Sequence, residues 1–159
     1  MTNKTAIFLV LIAGLLLFQS GCRKKAYIAT PDKKSAPAVS LKMTDLDSAY
    51  ALGEGIELRM RLIVDSPKPV EIMFPSSCPA EFVVFRDGEP IWNSLEGMAC
   101  LQVINRVTFE PGDTTEYATQ WNCTTKSWKG VTLGKYSVQG ILLSNPPIKT
   151  EVQTIYLVD

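Results

Sequence analysis

The chain has 159 residues, in which 16 Lys and Arg side chains balance 16 Asp and Glu side chains, and it contains no histidine. Without histidine, the chain cannot assemble a Ser-His-Asp triad or a His-ligated zinc site, and no imidazole can act as an acid or base near neutral pH. The balanced charge also argues against nucleic-acid binding, which requires a basic surface.

Residues 1–21 are predicted to be a signal peptide. Lys4 supplies a positive start, and residues 6–18 form an apolar run that is shorter than the roughly 20 residues a membrane-spanning helix needs. Residues 19–22, Gln-Ser-Gly-Cys, resemble a bacterial lipobox in which Gln19 replaces the usual leucine. The resemblance implies that Cys22 is lipidated and becomes the first residue of the mature chain. An ordinary signal peptide with a coincidental cysteine is the alternative.

Lipidation at Cys22 would make the protein a lipid-anchored component of the cell envelope. Two or more acyl chains anchor a protein durably, whereas one chain binds a membrane only marginally. Arg23 follows the cysteine. An Asp there resembles an inner-membrane retention signal of Gram-negative lipoproteins, so Arg23 favours the outer membrane, on its periplasmic or surface face.

Residues 22–38 are predicted to be the lipidated cysteine and a flexible tether. Residues 23–38 contain five basic residues, two prolines and little apolar content, a composition that cannot bury a core. Residues 39–159 hold 10 Lys and Arg against 15 Asp and Glu, so this part carries a net charge of −5. That charge favours solubility and disfavours adhesion of the domain itself to a membrane surface.

Residues 39–159 are predicted to form one all-β domain. Apolar and polar residues alternate over residues 56–64, which is the period of a strand with one buried face. Further extended segments, separated by turn residues, are predicted at 70–74, 81–85, 90–92, 101–109, 115–121, 134–143 and 150–158. Asp87 and Gly88 predict a tight hairpin turn, since both tolerate positive φ. The pattern is typical of an antiparallel β-sandwich of about seven strands.

A series of short motifs between residues 72 and 142 supports this fold. They are Phe74-Pro75-Ser76-Ser77, Glu81-Phe82-Val83-Val84, Asp87-Gly88, Ile91-Trp92, Leu101-Gln102-Val103, Phe109-Glu110-Pro111-Gly112-Asp113, Tyr117 with Trp121, and Gly134-Lys135-Tyr136. In order and spacing the series resembles the BsuPI-type intracellular proteinase inhibitor domain. The resemblance implies an immunoglobulin-like β-sandwich, and proteinase inhibition is one function that it implies for this exported chain.

Three cysteines remain beyond the lipobox: Cys78, Cys100 and Cys123. Their spacing matches no zinc or redox motif, and an exported domain sits in an oxidising compartment, so we expect one disulfide and one free thiol. Cys78 and Cys100 each precede a predicted strand. The hairpin through Asp87 and Gly88 lies between them and reverses the chain, so that the two strand ends can approach each other. The predicted disulfide is therefore Cys78–Cys100, with Cys100–Cys123 as the rival pairing.

Two further features of the sequence are candidate sites. The carboxylates Asp45, Asp47, Glu54 and Glu57 are close in sequence, as in cation-binding loops, but they are interpreted as solvated loop residues, and no metal or cofactor is predicted. Trp128 lies in a polar loop and is predicted to be an exposed partner-binding residue.

Trp92 and Trp121 lie in predicted strands and are expected to pack in the core or along its edge. Two loops, residues 93–99 and 122–132, are longer than a hairpin needs, and loops on a rigid β scaffold commonly carry recognition. The predicted function is therefore that of an envelope-anchored lipoprotein with a non-catalytic, protein-binding β-sandwich, whose unknown protein partner is in one interpretation a proteinase. A structural or assembly subunit of an envelope complex is the alternative.

Overall fold

The computed structural model describes residues 38–159. The predicted signal peptide, Cys22 and the tether up to residue 37 lie outside the described residues, so lipidation of Cys22 stays a prediction. In the described part of the chain, no helix is long and apolar enough to cross a membrane.

The described residues are all β, as predicted. They form eleven strands: β1 (Val39–Thr44), β2 (Ala49–Ala51), β3 (Ile56–Val64), β4 (Val70–Phe74), β5 (Ala80–Arg86), β6 (Glu89–Asn93), β7 (Asn105–Phe109), β8 (Thr114–Trp121), β9 (Gly134–Leu142), β10 (Ile148–Lys149) and β11 (Gln153–Val158). The number exceeds the predicted seven partly because β2 and β10 are too short for an alternating pattern to be visible in the sequence.

The strands form two main sheets and one ribbon. The first sheet has the order β1-β3-β8, and the second has the order β2-β11-β9-β5-β6, with β10 also paired to β9. The ribbon consists of β4 and β7. All pairs are antiparallel except β2 with β11, which is parallel. β8 and β6 are therefore edge strands of the two sheets.

The hydrophobic core draws on the inner faces of both sheets. β3 shows strict alternation, since every second side chain from Ile56 to Val64 is buried. β9 contributes Tyr136, Val138 and Leu142 from the second sheet, and Trp121 at the end of β8 is fully buried. Burial of apolar surface at roughly 25 cal/mol per Å² is the main stabilising contribution to such a core.

Two predicted strands begin later than expected. β7 starts at Asn105 rather than at residue 101, because residues 101–104 have no strand partner among the described residues. β11 starts at Gln153 rather than at residue 150. There, the Gly140 N–H donates to the Thr150 hydroxyl oxygen at 3.0 Å instead of to a backbone carbonyl, which interrupts the ladder.

The predicted hairpin turn and disulfide are both confirmed. Asp87 and Gly88 have φ of 53° and 86°, the positive pair that a type I′ turn requires. Cys78 and Cys100 are bonded, with their Cα atoms 5.6 Å apart. Cys123 is buried and forms no disulfide with the other described cysteines, as predicted.

Candidate protein-binding site around Trp128

A groove of about 190 Å³ lies between the two loops that were predicted to carry recognition. We call it the Trp128 groove. Residues 93–99 contribute the polar side chains of Asn93, Ser94 and Glu96 to it. Residues 122–132 contribute, among others, Thr125, Lys126 and Trp128. Edge strand β8 contributes Thr119 and Gln120. The fold therefore brings both predicted loops to one place, which spacing in sequence alone did not show.

Residues 123–131 form an ordered hairpin, which we call the Trp128 hairpin. The Val131 N–H donates to the Cys123 carbonyl at 3.0 Å, and Thr124 and Gly130 form an antiparallel bridge. Nearer the tip, the Thr125 N–H donates to the Lys129 carbonyl at 2.8 Å. This segment was expected to be a polar loop, and its backbone is instead paired along its length.

Trp128 closes the turn of this hairpin in an unfavourable backbone conformation. Its N–H donates to the Thr125 carbonyl at 2.9 Å, and its φ is 59°. In three-residue hairpin loops, a left-handed residue follows the turn, and that position is normally glycine because a side chain costs about 1–2 kcal/mol there. The Trp128 side chain is nevertheless 76% exposed, so burial in its own domain does not offset the strain. The predicted exposure is confirmed.

The base of the Trp128 hairpin is anchored in the core. The Trp121 indole N–H donates to the Thr124 carbonyl at 2.8 Å, and the Tyr136 hydroxyl donates to the Thr132 carbonyl at 2.6 Å. The Trp121 and Tyr136 ring centroids lie 5.6 Å apart, and the Trp92 and Trp121 centroids lie 6.4 Å apart. Trp92 and Trp121 therefore pack in or against the core, as predicted, and they fix the position from which Trp128 projects.

The opposite wall of the groove is also held by hydrogen bonds. The Ser94 N–H donates to the Phe82 carbonyl at 2.9 Å, and the Phe82 N–H donates back to the Ser94 hydroxyl at 2.9 Å. The Lys126 N–H donates to the Ile91 carbonyl at 2.7 Å, which joins the Trp128 hairpin to β6. A groove with two fixed walls loses little conformational freedom when a partner binds.

The groove carries charges of both signs. Glu96 accepts a hydrogen bond from the Asn93 amide nitrogen at 3.2 Å, and the Lys126 side chain lines the same groove. Burial raises the pKa of the nearby Glu81 carboxyl, and the Lys126 ammonium opposes that rise. The groove therefore offers charges of both signs together with amide and hydroxyl groups that can form hydrogen bonds.

A second groove adjoins the first and is more apolar. It has a volume of about 460 Å³, and we call it the Met98 groove after one of its lining residues. Leu95 and Met98 come from the loop of residues 93–99, while Tyr117 comes from β8. The two grooves share Ser94 and Thr119. Sequence reasoning missed this groove because its walls are far apart in the chain.

The four acidic residues near the start of the domain do not come together as a site. Glu57 pairs with Arg59 at 2.6 Å, and the Glu54 carboxylate accepts a hydrogen bond from the Ala51 N–H at 3.3 Å. Within residues 38–159, no group of three or more Cys, Asp or Glu side chains is arranged to hold a metal ion.

Comparison with solved structures finds likenesses at low sequence identity. They include the beta-glucosidase from Listeria innocua (13% identity over 76% of this chain and 16% of that chain, TM-score 0.45) and the alkylpurine DNA glycosylase AlkC from Pseudomonas fluorescens (14%, 77% and 31%, TM-score 0.44). The sporulation control protein Spo0M from Bacillus subtilis is similar at 14% identity over 76% of this chain and 49% of that chain, with a TM-score of 0.43. The chain thus spans less than half of each of these proteins.

Comparison with families of known sequence is more informative. No curated protein matches the chain. The profile of the BsuPI family, described as intracellular proteinase inhibitor, matches residues 44–147, which is well over half of the chain. The match includes the disulfide, both grooves and the Trp128 hairpin. The chain therefore belongs to the BsuPI family.

Proposed function

We propose that this protein is an envelope-tethered proteinase inhibitor that binds its target without catalysis, through the surface around Trp128. The observation that carries the proposal is the exposed Trp128 side chain on an anchored hairpin, in a backbone conformation that disfavours it. Strained residues persist where the surrounding structure holds them, and they cluster at functional sites. Tryptophan is also enriched among the residues that dominate binding energy at protein interfaces. Family membership makes a proteinase the first partner to test.

The proposed mechanism is occlusion of the target's active site. The groove residues offer amides, hydroxyls, one lysine and one glutamate, and the chain has no histidine to activate a nucleophile. Proteinase–inhibitor interfaces bury about 1,600 Å² in total and rely on shape complementarity between preformed surfaces. The hydrogen bonds that fix both walls of the Trp128 groove supply such a preformed surface.

The proposed location is the cell envelope, where a lipid tethers the domain to a membrane; in a Gram-negative cell the outer membrane is favoured, on its periplasmic or surface face. The support is the signal that resembles a lipobox, the cysteine at position 22 and the basic, proline-containing tether. An extended tether over residues 23–38 would reach roughly 50 Å. The domain would then meet proteinases that act in the envelope or enter it, rather than cytoplasmic ones.

The proposal is tested with the mature chain purified in detergent against a panel of serine, cysteine, aspartic and metallo-endoproteinases. We expect wild type to inhibit at least one of them, and Trp128→Ala to weaken that inhibition by roughly 30-fold, which corresponds to about 2 kcal/mol. Tyr156→Ala is the matched control, because Tyr156 is an exposed aromatic residue on β11 that does not line either groove. Equal inhibition by Trp128→Ala and wild type would contradict the assigned surface.

A predicted anchor also favours a second candidate, an accessory subunit of an envelope complex, because a tethered domain stays beside other membrane components. A panel without inhibition, together with stoichiometric recovery of one envelope complex in pull-downs from solubilised membranes, would favour this candidate. The anchor itself is tested by mass spectrometry of the mature amino terminus. Cys22→Ala is expected to leave an unprocessed precursor or a soluble form.

A further inference from the structure

Exposed apolar side chains concentrate in one short segment of the domain. Of the eleven large hydrophobic side chains that are exposed in the described residues, five lie within residues 98–107. They are Met98, Leu101, Val103, Ile104 and Val107. Exposed apolar side chains that concentrate in this way often mark a surface that contacts another molecule. We call residues 101–104 the Leu101 arch.

The arch is fixed at both ends. At its start, Cys100 is bonded to Cys78, and Leu101 makes two hydrogen bonds with Ser77. In these, the Leu101 N–H donates to the Ser77 hydroxyl at 2.9 Å, and the Ser77 N–H donates to the Leu101 carbonyl at 3.0 Å. At its end, Asn105 pairs with Phe74 where β7 begins. The arch is therefore a short bridge between two points that the fold holds in place.

Between these points the arch has no strand partner among residues 38–159. Its one internal backbone bond runs from the Val103 N–H to the Leu101 carbonyl at 2.9 Å, which is a γ-turn centred on Gln102. The Leu101 and Ile104 side chains are 69% and 68% exposed. Opening the turn into an extended segment costs one weak hydrogen bond.

We propose that the Leu101 arch is the segment that enters the substrate cleft of the target endoproteinase, and that this target has apolar specificity subsites. The inference rests on the proposed function. A cleft that cleaves polypeptides binds a single extended segment through backbone hydrogen bonds and side-chain pockets. The backbone groups of Gln102 and Ile104 have no backbone partner among the described residues, and they lie beside the apolar side chains of Leu101 and Ile104. Holding both ends reduces the conformational entropy lost on binding.

Because both ends of the arch are fixed, the protein would act on the proteinase as an inhibitor and not as an ordinary substrate. Hydrolysis of one bond in the arch adds a water molecule and leaves a new carboxylate and a new amine. The Cys78–Cys100 bond and the β4–β7 pairing then keep both new ends attached to the same domain. The cleaved segment would leave the cleft slowly, because neither product can diffuse away alone.

The arch is continuous with the surface around Trp128. Met98, two residues before Cys100, lines the Met98 groove, and that groove adjoins the Trp128 groove through Ser94 and Thr119. One partner can therefore contact the arch and Trp128 together. A membrane surface fits less well, since residues 39–159 carry a net charge of −5 and anionic headgroups would repel them.

The test compares wild type with Leu101→Asp/Ile104→Asp and with the control Val152→Asp, which changes an exposed apolar residue between β10 and β11. Each is assayed against the inhibited proteinase. Each is also treated natively with chymotrypsin, whose specificity pocket is apolar, and the cut bond is mapped before and after reduction. We expect at least tenfold weaker inhibition by the arch variant, no change in the control, and first cleavage within residues 101–104 of wild type. Because both replaced side chains are exposed, the melting temperature should not change.

The other outcomes separate the arch from the proposed function. Undiminished inhibition by the arch variant, with native cleavage elsewhere, would overturn the arch and leave proteinase inhibition standing. Rapid cleavage within the arch without inhibition of any proteinase would overturn the inhibitor and leave the arch as the segment that proteinases recognise. Neither inhibition nor cleavage within the arch would overturn both.

Discussion

The indole N–H of Trp121 donates a 2.8 Å hydrogen bond to the carbonyl oxygen of Thr124. Trp121 has no exposed surface, whereas Thr124 is the second residue of the Trp128 hairpin. The bond therefore connects Trp121, the most deeply buried aromatic residue of the core, to the base of the hairpin that carries the exposed Trp128. The position of Trp128, the proposed recognition residue, thus depends on a core residue that a partner could not contact.

Replacing Trp121 with phenylalanine tests this connection. The half-buried Thr124 carbonyl would lose its donor, and the loss of a typical intramolecular hydrogen bond costs about 0.5–1.5 kcal/mol. We expect a lower melting temperature and faster hydrogen exchange of the Thr125 and Val131 amides, which pair within the hairpin. Partner affinity should fall although Trp128 is retained. Unchanged hydrogen exchange at both amides in a destabilised variant would show that the hairpin is ordered without the Trp121 hydrogen bond.

Trp128→Gly should be more stable than Trp128→Ala, which is the reverse of the usual order for these two residues. Glycine adopts φ near 59° without the steric cost that alanine keeps. The side chain contributes little packing because it is exposed, so the glycine variant should exceed the alanine variant by about 1 kcal/mol in free energy of unfolding. Both should lose partner affinity alike. Chemical denaturation measures the difference, and a glycine variant less stable than the alanine variant would contradict the assigned strain.

The sequence predicted those parts of the fold that local pattern determines. β3 and β4 have the predicted bounds because their buried and exposed residues alternate with period two. The type I′ turn at Asp87 follows from the residue types that accept positive φ. Residues 101–104 were wrongly predicted as strand because their apolar side chains indicate burial, whereas the fold leaves them exposed.

The grooves could not be predicted, because they depend on contacts between distant residues. Tyr117 and Met98 line one groove only because β8 is the edge of one sheet and the long loop follows the edge strand of the other. Trp128 was identified by its polar surroundings alone. Its strained backbone had no signal in the sequence, since a glycine would have been expected at that turn position.

Gly140→Ala should destabilise the core. A Cβ at this position would lie 2.5 Å from the Met60 sulfur, closer than real Cβ atoms approach, and 3.2 Å from the Met43 sulfur, which is tighter than most Cβ contacts. Both methionines are buried, so relief requires repacking between the two sheets, which typically costs 1–3 kcal/mol. Gly130→Ala is the matched control, because no atom lies within 4 Å of its added Cβ. Equal melting temperatures for the two variants would show that the methionines move freely.

Removing the disulfide should lower stability and loosen the Leu101 arch. The bond joins residues separated by 22 positions, for which the chain-entropy model gives about 3 kcal/mol. We expect the free energy of unfolding of Cys78→Ser/Cys100→Ser to be lower by that amount. We also expect a proteinase to cleave this variant faster within residues 101–104 under native conditions. A reducing agent should affect wild type in the same way and the double variant not at all. An effect of reduction on the double variant would show that another disulfide exists.

Cys123 should make the stability of the domain fall at alkaline pH. Burial raises the pKa of its thiol above the ordinary value of 9.0, and the thiol donates to the Glu54 carbonyl at 3.3 Å. The folded state therefore favours the neutral thiol, while the unfolded chain releases the proton above about pH 9. The stabilising contribution is complete below the unfolded pKa and is lost as pH rises through the folded pKa.

The measurement is the melting temperature of wild type and Cys123→Ala as pH rises from about 8 to about 10. Alanine cannot titrate, so its curve should fall less steeply than that of wild type, whatever the offset caused by the smaller side chain. All other titratable groups are the same in both proteins and cancel in the comparison. In wild type, alkylation of Cys123 by iodoacetamide should also be slow, because the reactive thiolate is disfavoured and the side chain is buried. Parallel melting curves, or alkylation as fast as that of an unfolded peptide, would contradict a buried neutral thiol.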